Sequence, residues 1–413
     1  MECNIGPDFK EICMKKEDKE AVIVGAVRTA IGKFGGRLKD LRAYQLAGTV
    51  MEAALTRAGV EKGAVDEVIA GDCIQCADEA NTARTAALSI GIPVDVPAYT
   101  VQKQCSSSMQ ALSCARTQIL AGEADIVLVV GVESMSNAPY VLKTARWGQR
   151  LNHGELTDTI WELLYSGSGL LGRRMIMGET AENLALKYAI SRQEQDEVAL
   201  RSHRNAERAV KNGTFDEEIV PVSVNTRKGM SLVDKDEHPR IGLTMDELTA
   251  LKPAFQKDGT VTAGNASGIN DGAASIVVTS RIRAKDLGLA PLARIVAQSS
   301  AGVPPEIMGY GPVPATQKLL ARTGVPLKGI GLFEVNEAFA AQYIACEKGL
   351  GLDREKVNVN GSGIGLGHPV GCTGVRLVVS LLHEMRRRNE RYGLATLCVG
   401  GGMGMSTLLE LED

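Results

Sequence analysis

An internal repeat is the feature that most constrains this chain. "LTRAGVEKGAVDEVIAG" (55–71) aligns with "LARTGVPLKGIGLFEVN" (320–336) at an offset of 265. Leu55, Arg57, Gly59 and Val60 recur as Leu320, Arg322, Gly324 and Val325. "LVVGVESM" (128–135) is answered by "LCVGGGMG" (397–404). Two similar halves are expected to pack about a pseudo-twofold axis. Equivalent strand-to-helix junctions then face one crevice, where α/β sheets bind ligands. The offset carries Cys105 to Val370, two residues from His368 in "GSGIGLGHPVG" (361–371). The repeat alone therefore predicts that Cys105 and His368 meet.

Hydrophobic patterning fills in the halves. "AVIVGAV" (21–27), "VDEVIAG" (65–71), "AYTVQK" (98–103) and "ADIVLVVGV" (124–132) read as strands, the first buried on both faces. Helical spacing occupies 43–60, with Gly59 as its stop, then 81–90 and the stretch after Cys105. The alternation predicts a mostly parallel sheet with helices on its faces. From about 134 to 265 the chain is more charged and holds both tryptophans, as an insertion would. Within it, Ser191 and Glu194 form a capping box for a helix that Gly213 stops. "AASIVVTS" (273–280) returns to buried-strand composition, and "LARIVAQ" (292–298) resumes the alternation.

Composition narrows the function. A formal charge of −3 gives no surface for nucleic acid, and no apolar run is long enough to span a membrane. The first 20 residues are too polar for a signal peptide and too acidic for a transit peptide, which predicts a cytoplasmic protein. The nine cysteines are scattered, as thiols in a reducing compartment. Cys73 and Cys76 form a CxxC without a second CxxC or a nearby His pair, and read as two buried small residues rather than a metal site. "GSGLLG" (167–172) fits the dinucleotide fingerprint literally but follows no buried strand, so it predicts no nucleotide site.

The chemistry gathers at the crevice. Cys105 in "VQKQCSSSMQAL" stands where a strand gives way to a helix, whose dipole would lower its pKa. Ser106, Ser107 and Ser108 would keep the approach open and leave N–H groups for an oxyanion. A buried structural cysteine is the alternative. His368 lies among Gly361, Gly363, Gly365 and Gly367, which would let a substrate lie against the backbone, with Pro369 at a plausible first helical position. Cys398 precedes Gly400, Gly401 and Gly402 at a strand end, a second thiol with further N–H groups. In "NEAFAAQ" (336–342) Asn336 reads as a helix cap.

"VRTAIGKFGG" (27–36), "CSSSMQA" (105–111), "AGNASGINDGAA" (263–274), "NEAFAAQ", "VNVNGSGIGLGHPVG" (357–371) and "LATLCVGGGMG" (394–404) together resemble the thiolase family in order and spacing, from about residue 20 to the C-terminus. The resemblance implies the α/β thiolase fold: two similar βαβαβαββ halves packed in five layers (αβαβα), with an inserted loop domain. The implied division is a polar tail (1–20), an N-terminal half (21–133 plus 266–288), a CoA-covering insertion (134–265) and a C-terminal half (289–413). It implies that Cys105 carries the acyl group and that His368 takes its proton. Asn336 would fix a water, Cys398 would move the α-proton of acetyl-CoA, and the N–H groups of Cys105 and Gly400 would form an oxyanion hole. Ser267 matches a contact to the pantetheine arm and Arg240 one to the nucleotide end of CoA. Ala263, Ile176, Met177 and Phe339 fall in motifs around the substrate. CoA and acyl-CoA are the implied partners, with no cofactor or metal, in a homodimer or homotetramer.

The chain departs from the family pattern at four places. Ser107 replaces a glycine, Cys372 and Thr373 stand where Ala and Ser are common, and Ile176-Met177-Gly178 replaces the His-Met-Gly of short-chain members. The last change predicts a substrate range wider than acetoacetyl-CoA. Arg173 and Arg174 could meet a substrate carboxylate, but the surface is the favoured place for them. A decarboxylating ketoacyl synthase and a non-catalytic thiolase-like subunit are the alternatives. The synthases use two His, or His and Asn, where Cys398 stands here.

Overall fold

The computed structural model describes residues 20–151, 153–165, 174–227 and 229–412. The tail through residue 19, the 167–172 glycine motif and Arg173 lie outside these residues. The first half consists of β1 (Ala21–Thr29), α1 (Ala43–Ala58), β2 (Glu67–Asp72), α2 (Thr82–Ser89), β3 (Ala98–Val101), α3 (Ser107–Ala121) and β4 (Ile126–Ser134). The chain then leaves the sheet, forms a helix-rich excursion that includes α4 (Arg192–Lys211), and returns as β5 (Asn270–Ser280). The second half is β6 (Ala293–Gly302), α5 (Pro312–Thr323), β7 (Leu332–Val335), α6 (Ala340–Leu350), α7 (Thr373–Arg388), β8 (Tyr392–Val399) and β9 (Met403–Leu411).

The strands run in the order β7-β8-β9-β6-β1-β5-β4-β2-β3, and the halves join where Val22 and Ile23 of β1 pair with Arg294 and Ala293 of β6. The sheet is mixed rather than mostly parallel. β4, β2 and β3 are parallel, as are β7 and β8, but β5 runs antiparallel to β1 and β4, and β9 antiparallel to β6 and β8. A buried apolar run looks the same in either direction, so composition could not reveal the reversal. The second half also reduces its third strand to one bridge, Val357 beside Phe333.

Every residue of β1, β4 and β5 is buried, because both faces are covered. Successive residues of β4 alternate between two cores. Leu128 and Val130 face α1 with Leu46, Val50 and Met51, whereas Val127 and Val129 face α3 and α7 with Leu112, Val375 and Val378. The second-half strands β6–β9 of this sheet form a second sheet layer, where Leu397 and Leu409 close that central core from the other side. The outer face of the second sheet, with Leu394 and Leu408, is covered by α5 and α6 and by Leu184 and Leu200 of the excursion. The layers are thus α1/α2, first sheet, α3/α7, second sheet, α5/α6.

The caps behave as their residues predict. Gly59 takes φ 68° and closes α1, and Ser191 Oγ accepts from Glu194 N–H at 3.1 Å while Glu194 Oε2 accepts from Ser191 N–H at 2.7 Å. The offset of 265 carries β2 onto β7, α3 onto α7 and β4 onto β8.

The first turn of α3 lies directly on the sheet. A Cβ added to Gly71 would sit 2.1 Å from Ser108 N, and one on Gly131 would sit 2.5 Å from Ser108 Cβ. Backbone rather than a flexible side chain blocks the first site. Gly71→Ala should therefore lower unfolding stability by about 1–3 kcal/mol or more, seen as an earlier denaturation midpoint; an unchanged midpoint would contradict this packing.

Candidate active site

A tight turn delivers Cys105. Ser106 and Ser107 N–H bond to the carbonyls of Lys103 (3.1 Å) and Gln104 (3.0 Å), and Ser107 Oγ accepts from Lys103 N–H at 2.9 Å. Gln104 takes a left-handed φ of 50° to make it, a conformation that costs a non-glycine residue roughly 1–3 kcal/mol and is concentrated at functional sites. The three serines do not leave free N–H groups, contrary to the expectation from sequence. Two close this turn, and Ser108 N–H reaches Gly371 C=O at 3.2 Å.

Ser108 joins the halves. Its Oγ donates to Cys372 C=O (3.1 Å) and accepts from Val375 N–H (3.0 Å), locking the starts of α3 and α7 together. Val370, which the repeat equates with Cys105, packs with Cys105 and Cys372 in the central core. Glu133, at the buried end of β4, accepts N–H bonds from Gly371 (2.7 Å), Ile74 (3.0 Å) and Cys73 (3.3 Å). Burial, with Asp72 beside it, holds the Glu133 carboxyl well above the usual range, and burial moves Asp72 up to about 6. Sequence reading missed this acid pair; its signal was a carboxylate closing an otherwise apolar strand.

His368 is 5% exposed. Its Nδ1 is 2.6 Å from Thr373 Oγ1, which is itself 2.8 Å from Pro369 C=O. The carbonyl can only accept, so the threonine hydrogen goes there and His368 Nδ1 carries the ring hydrogen. Nε2 keeps its lone pair and lies 3.5 Å from Asn336 Nδ2. Burial, with Arg376 nearby, lowers His368 to about 3, so the ring is neutral. Thr373 was noted only as a departure from the family pattern; here it fixes the tautomer.

Three expectations around this loop need correction. Pro369 lies four residues ahead of α7 rather than at its first position. Asn336 is no helix cap: α6 starts at Ala340, and Gln342 Oε1 accepts from Ala338 N–H (3.0 Å) ahead of it. Asn336 follows β7 directly, its N–H bound to Thr396 C=O at 2.9 Å, with a fully buried Oδ1 that has no partner among the described residues. The glycines admit protein rather than a substrate chain. Cβ atoms on Gly361 and Gly365 would lie 2.7 and 2.5 Å from Ser202 C=O of α4, and one on Gly363 2.5 Å from Glu337 C=O.

The second thiol and the glycine turn also reach Cys105. The Gly400 N–H favours the Cys105 thiolate, and Cys105 lies close enough to Cys398 to raise that thiol's cost of ionisation. The helix start does not make Cys105 acidic. At 4% exposure, burial pushes its thiol up to about 11, against the opposing Gly400 N–H. Burial likewise holds Cys398 well above its ordinary value. A dipole contribution at a helix start is smaller than the desolvation of a thiolate in an apolar core.

Cys398, Phe339 and Met177 share one apolar cluster, in which Phe255 meets Phe339 edge to face at 6.0 Å. Ile176 is buried but belongs to neither that cluster nor the one around Cys105; it precedes the helix Met177–Lys187, its N–H held by Glu179 at 3.0 Å. Ser267 N–H bonds to Ala338 C=O at 2.9 Å, so its segment runs beside the "NEAF" turn. Arg240 is exposed, with its Nη2 3.3 Å from the carbonyl of exposed Ala263. Arg174 pairs with Glu162 at 2.6 Å on the surface. Cys73 is buried and Cys76 half-buried; the acids beside Cys76, Asp78 and Glu79, are paired with Arg42. No helix of the described residues is long and apolar enough to cross a membrane.

Two apposed α/β halves, with buried Cys105 and Cys398 near each other and buried His368 beside Asn336, have the architecture of a thiolase. Residues 21–282 match the family described as "Thiolase, N-terminal domain" and residues 289–411 "Thiolase, C-terminal domain", so the chain belongs to the thiolase family and is an acyltransferase. It is 50% identical to the acetyl-CoA acetyltransferase of Escherichia coli (strain K12), over 95% of this chain and 99% of that one. The crystal structure of the Bacillus anthracis acetyl-CoA acetyltransferase matches with a TM-score of 0.94 at 55% identity, covering 96% of this chain and 100% of that one. Human mitochondrial 3-ketoacyl-CoA thiolase in complex with CoA matches with a TM-score of 0.91 at 41% identity, covering 95% and 98%.

A thiol near 11 is about one part in a thousand thiolate at pH 8, and the thiolate is the nucleophile. Alkylation of Cys105 by iodoacetamide in the substrate-free enzyme should therefore keep accelerating as pH rises through 9. A rate already level by pH 8 would contradict the dominance of burial.

Proposed function

We propose that this thiolase moves acyl groups between CoA thioesters through an acyl-Cys105 intermediate, cleaving short- to medium-chain 3-ketoacyl-CoA with CoA or condensing acetyl-CoA in reverse. The observation that carries the reading is the Gly400 N–H that favours the Cys105 thiolate, with the Cys398 thiol nearby. In cleavage, His368 Nε2 takes the Cys105 proton as the sulfur attacks the 3-keto carbon. The N–H groups of Cys105 and Gly400 hold the resulting oxyanion. The carbon–carbon bond then breaks, and its electron pair becomes the enolate of acetyl-CoA. His368, and a water held by the otherwise unpartnered Asn336 Oδ1, stabilise the enolate oxygen, while Cys398 gives its proton to the carbon. CoA gives its thiol proton to Cys398 and attacks the thioester on Cys105, which leaves and recovers its proton from His368 as the shortened acyl-CoA is released.

Ser267 and Arg240 bind the pantetheine arm and nucleotide of CoA, the excursion 134–265 covers it, and no resident cofactor or metal takes part. The two core units are 21–133 plus 266–288 and 289–413, in a cytoplasmic homo-oligomer that takes part in fatty-acid β-oxidation. The thiol at 398 favours this reading over a decarboxylating synthase. Cys398→Ser should still be acylated on Cys105 but lose exchange of the acetyl-CoA α-protons into deuterium oxide; normal exchange would remove Cys398 from the role.

The substrate range follows from an apolar wall. Ile176 supplies no hydrogen bond where short-chain enzymes place His, and its side chain offers contact worth roughly 1–2 kcal/mol to a longer acyl chain. Thiolysis should extend from C4 to medium straight chains, and Ile176→His should shift kcat/KM toward acetoacetyl-CoA. Activity confined to C4 and unmoved by that change would contradict this.

A further inference from the structure

Behind His368 lie two polar side chains that no step above uses. Asn270 opens β5 and is fully buried. Its Oδ1 accepts the main-chain N–H of His368 at 2.9 Å, and its Nδ2 donates to Gly32 C=O at 2.9 Å. One partner can only donate and the other can only accept, so the orientation of the amide is fixed. The same Nδ2 lies 3.2 Å from Nδ1 of His238. That nitrogen must therefore be an acceptor, which leaves His238 neutral with its hydrogen on Nε2.

The ring thus bears on the catalytic loop through Asn270, which accepts the main-chain N–H of His368. Packing leaves it little freedom. A Cβ on Gly268 would lie 2.4 Å from His238 Cε1, and one on Gly367, where φ is 103°, would lie 2.7 Å from the Asn270 amide. The His238 ring stacks on His203 with centroids 6.1 Å apart and an interplanar angle of 23°. His203 Nδ1 in turn accepts the N–H of Arg240 at 3.2 Å. The histidine pair therefore stands between the segment carrying Arg240 and the loop carrying His368.

We propose that His238 and Asn270 are positioning residues that hold the His368 loop in register with the segment carrying Arg240. The catalytic part of this inference rests on the assignment of His368 as base. His238 does not touch the reacting atoms; it sets where Nε2 of His368 stands relative to Cys105. A misplacement of about 1 Å can cost a hundredfold in rate.

The test compares full-length His238→Leu and His238→Asn with the wild type, using thiolysis kinetics and hydrogen exchange of the 361–371 peptide. His238→Leu removes the bond to Asn270, and kcat should fall by about ten- to a hundredfold with KM for CoA changed less than about threefold. Exchange in 361–371 should accelerate. His238→Asn can still accept from Asn270 through its own Oδ1 and should recover part of both losses. It is also the variant that decides the matter if His238→Leu does not fold. A kcat within about twofold of wild type with unchanged exchange would overturn the proposal, as would a defect confined to KM. Hydrogen exchange tests the register whether or not His368 is the base, whereas loss of turnover in His368→Ala tests the base itself.

Discussion

The junction at Ser108 is the contact on which the rest of the site depends. One hydroxyl donates to Cys372 C=O and accepts from Val375 N–H, so the starts of α3 and α7 cannot slide past each other. Removing it would leave Val375 N–H buried without a partner, a loss of about 1–3 kcal/mol. Cys105 stands three residues before this hydroxyl, and His368 four residues before Cys372. Fixing the junction therefore fixes both reacting groups relative to each other. Gly71 and Gly131 make it possible by letting the first turn of α3 rest on the sheet.

The chemical groups at this junction are buried and neutral at rest. Raising the Cys105 thiol from 9.0 to about 11 corresponds to roughly 3 kcal/mol against its thiolate. His368 likewise resists protonation. A dry, neutral pair of this kind reacts when a substrate supplies the developing negative charge that Gly400 N–H is placed to receive. The same dryness strengthens each hydrogen bond in the supporting shell, from Thr373 through Asn270 to His238.

Much of this was legible along the chain because it is local. Buried strands announce themselves as apolar runs such as 21–27 and 126–132, Gly59 and the Ser191–Glu194 pair mark helix ends, and the offset of 265 brings Cys105 to Val370, two residues from His368. What failed to show depends on partners distant in sequence. The reversed direction of β5 and β9 carries no compositional mark. Gly361 and Gly365 were read as room for substrate, but α4, some 160 residues earlier, occupies that room. The acidity of Cys105 turned on burial outweighing a helix dipole, a balance that spacing cannot express. Asn270 lay inside a recognised motif, yet its partners Gly32, His238 and His368 come from three separate segments.

The central claim is that the acyl group passes through Cys105, and it is tested most directly by trapping that intermediate. Wild-type enzyme incubated with acetyl-CoA, quenched in acid and digested, should yield one acetylated peptide by mass spectrometry, with the added acetyl group on Cys105. Label on Cys398 or Cys73 instead, or none during steady turnover, would contradict the account.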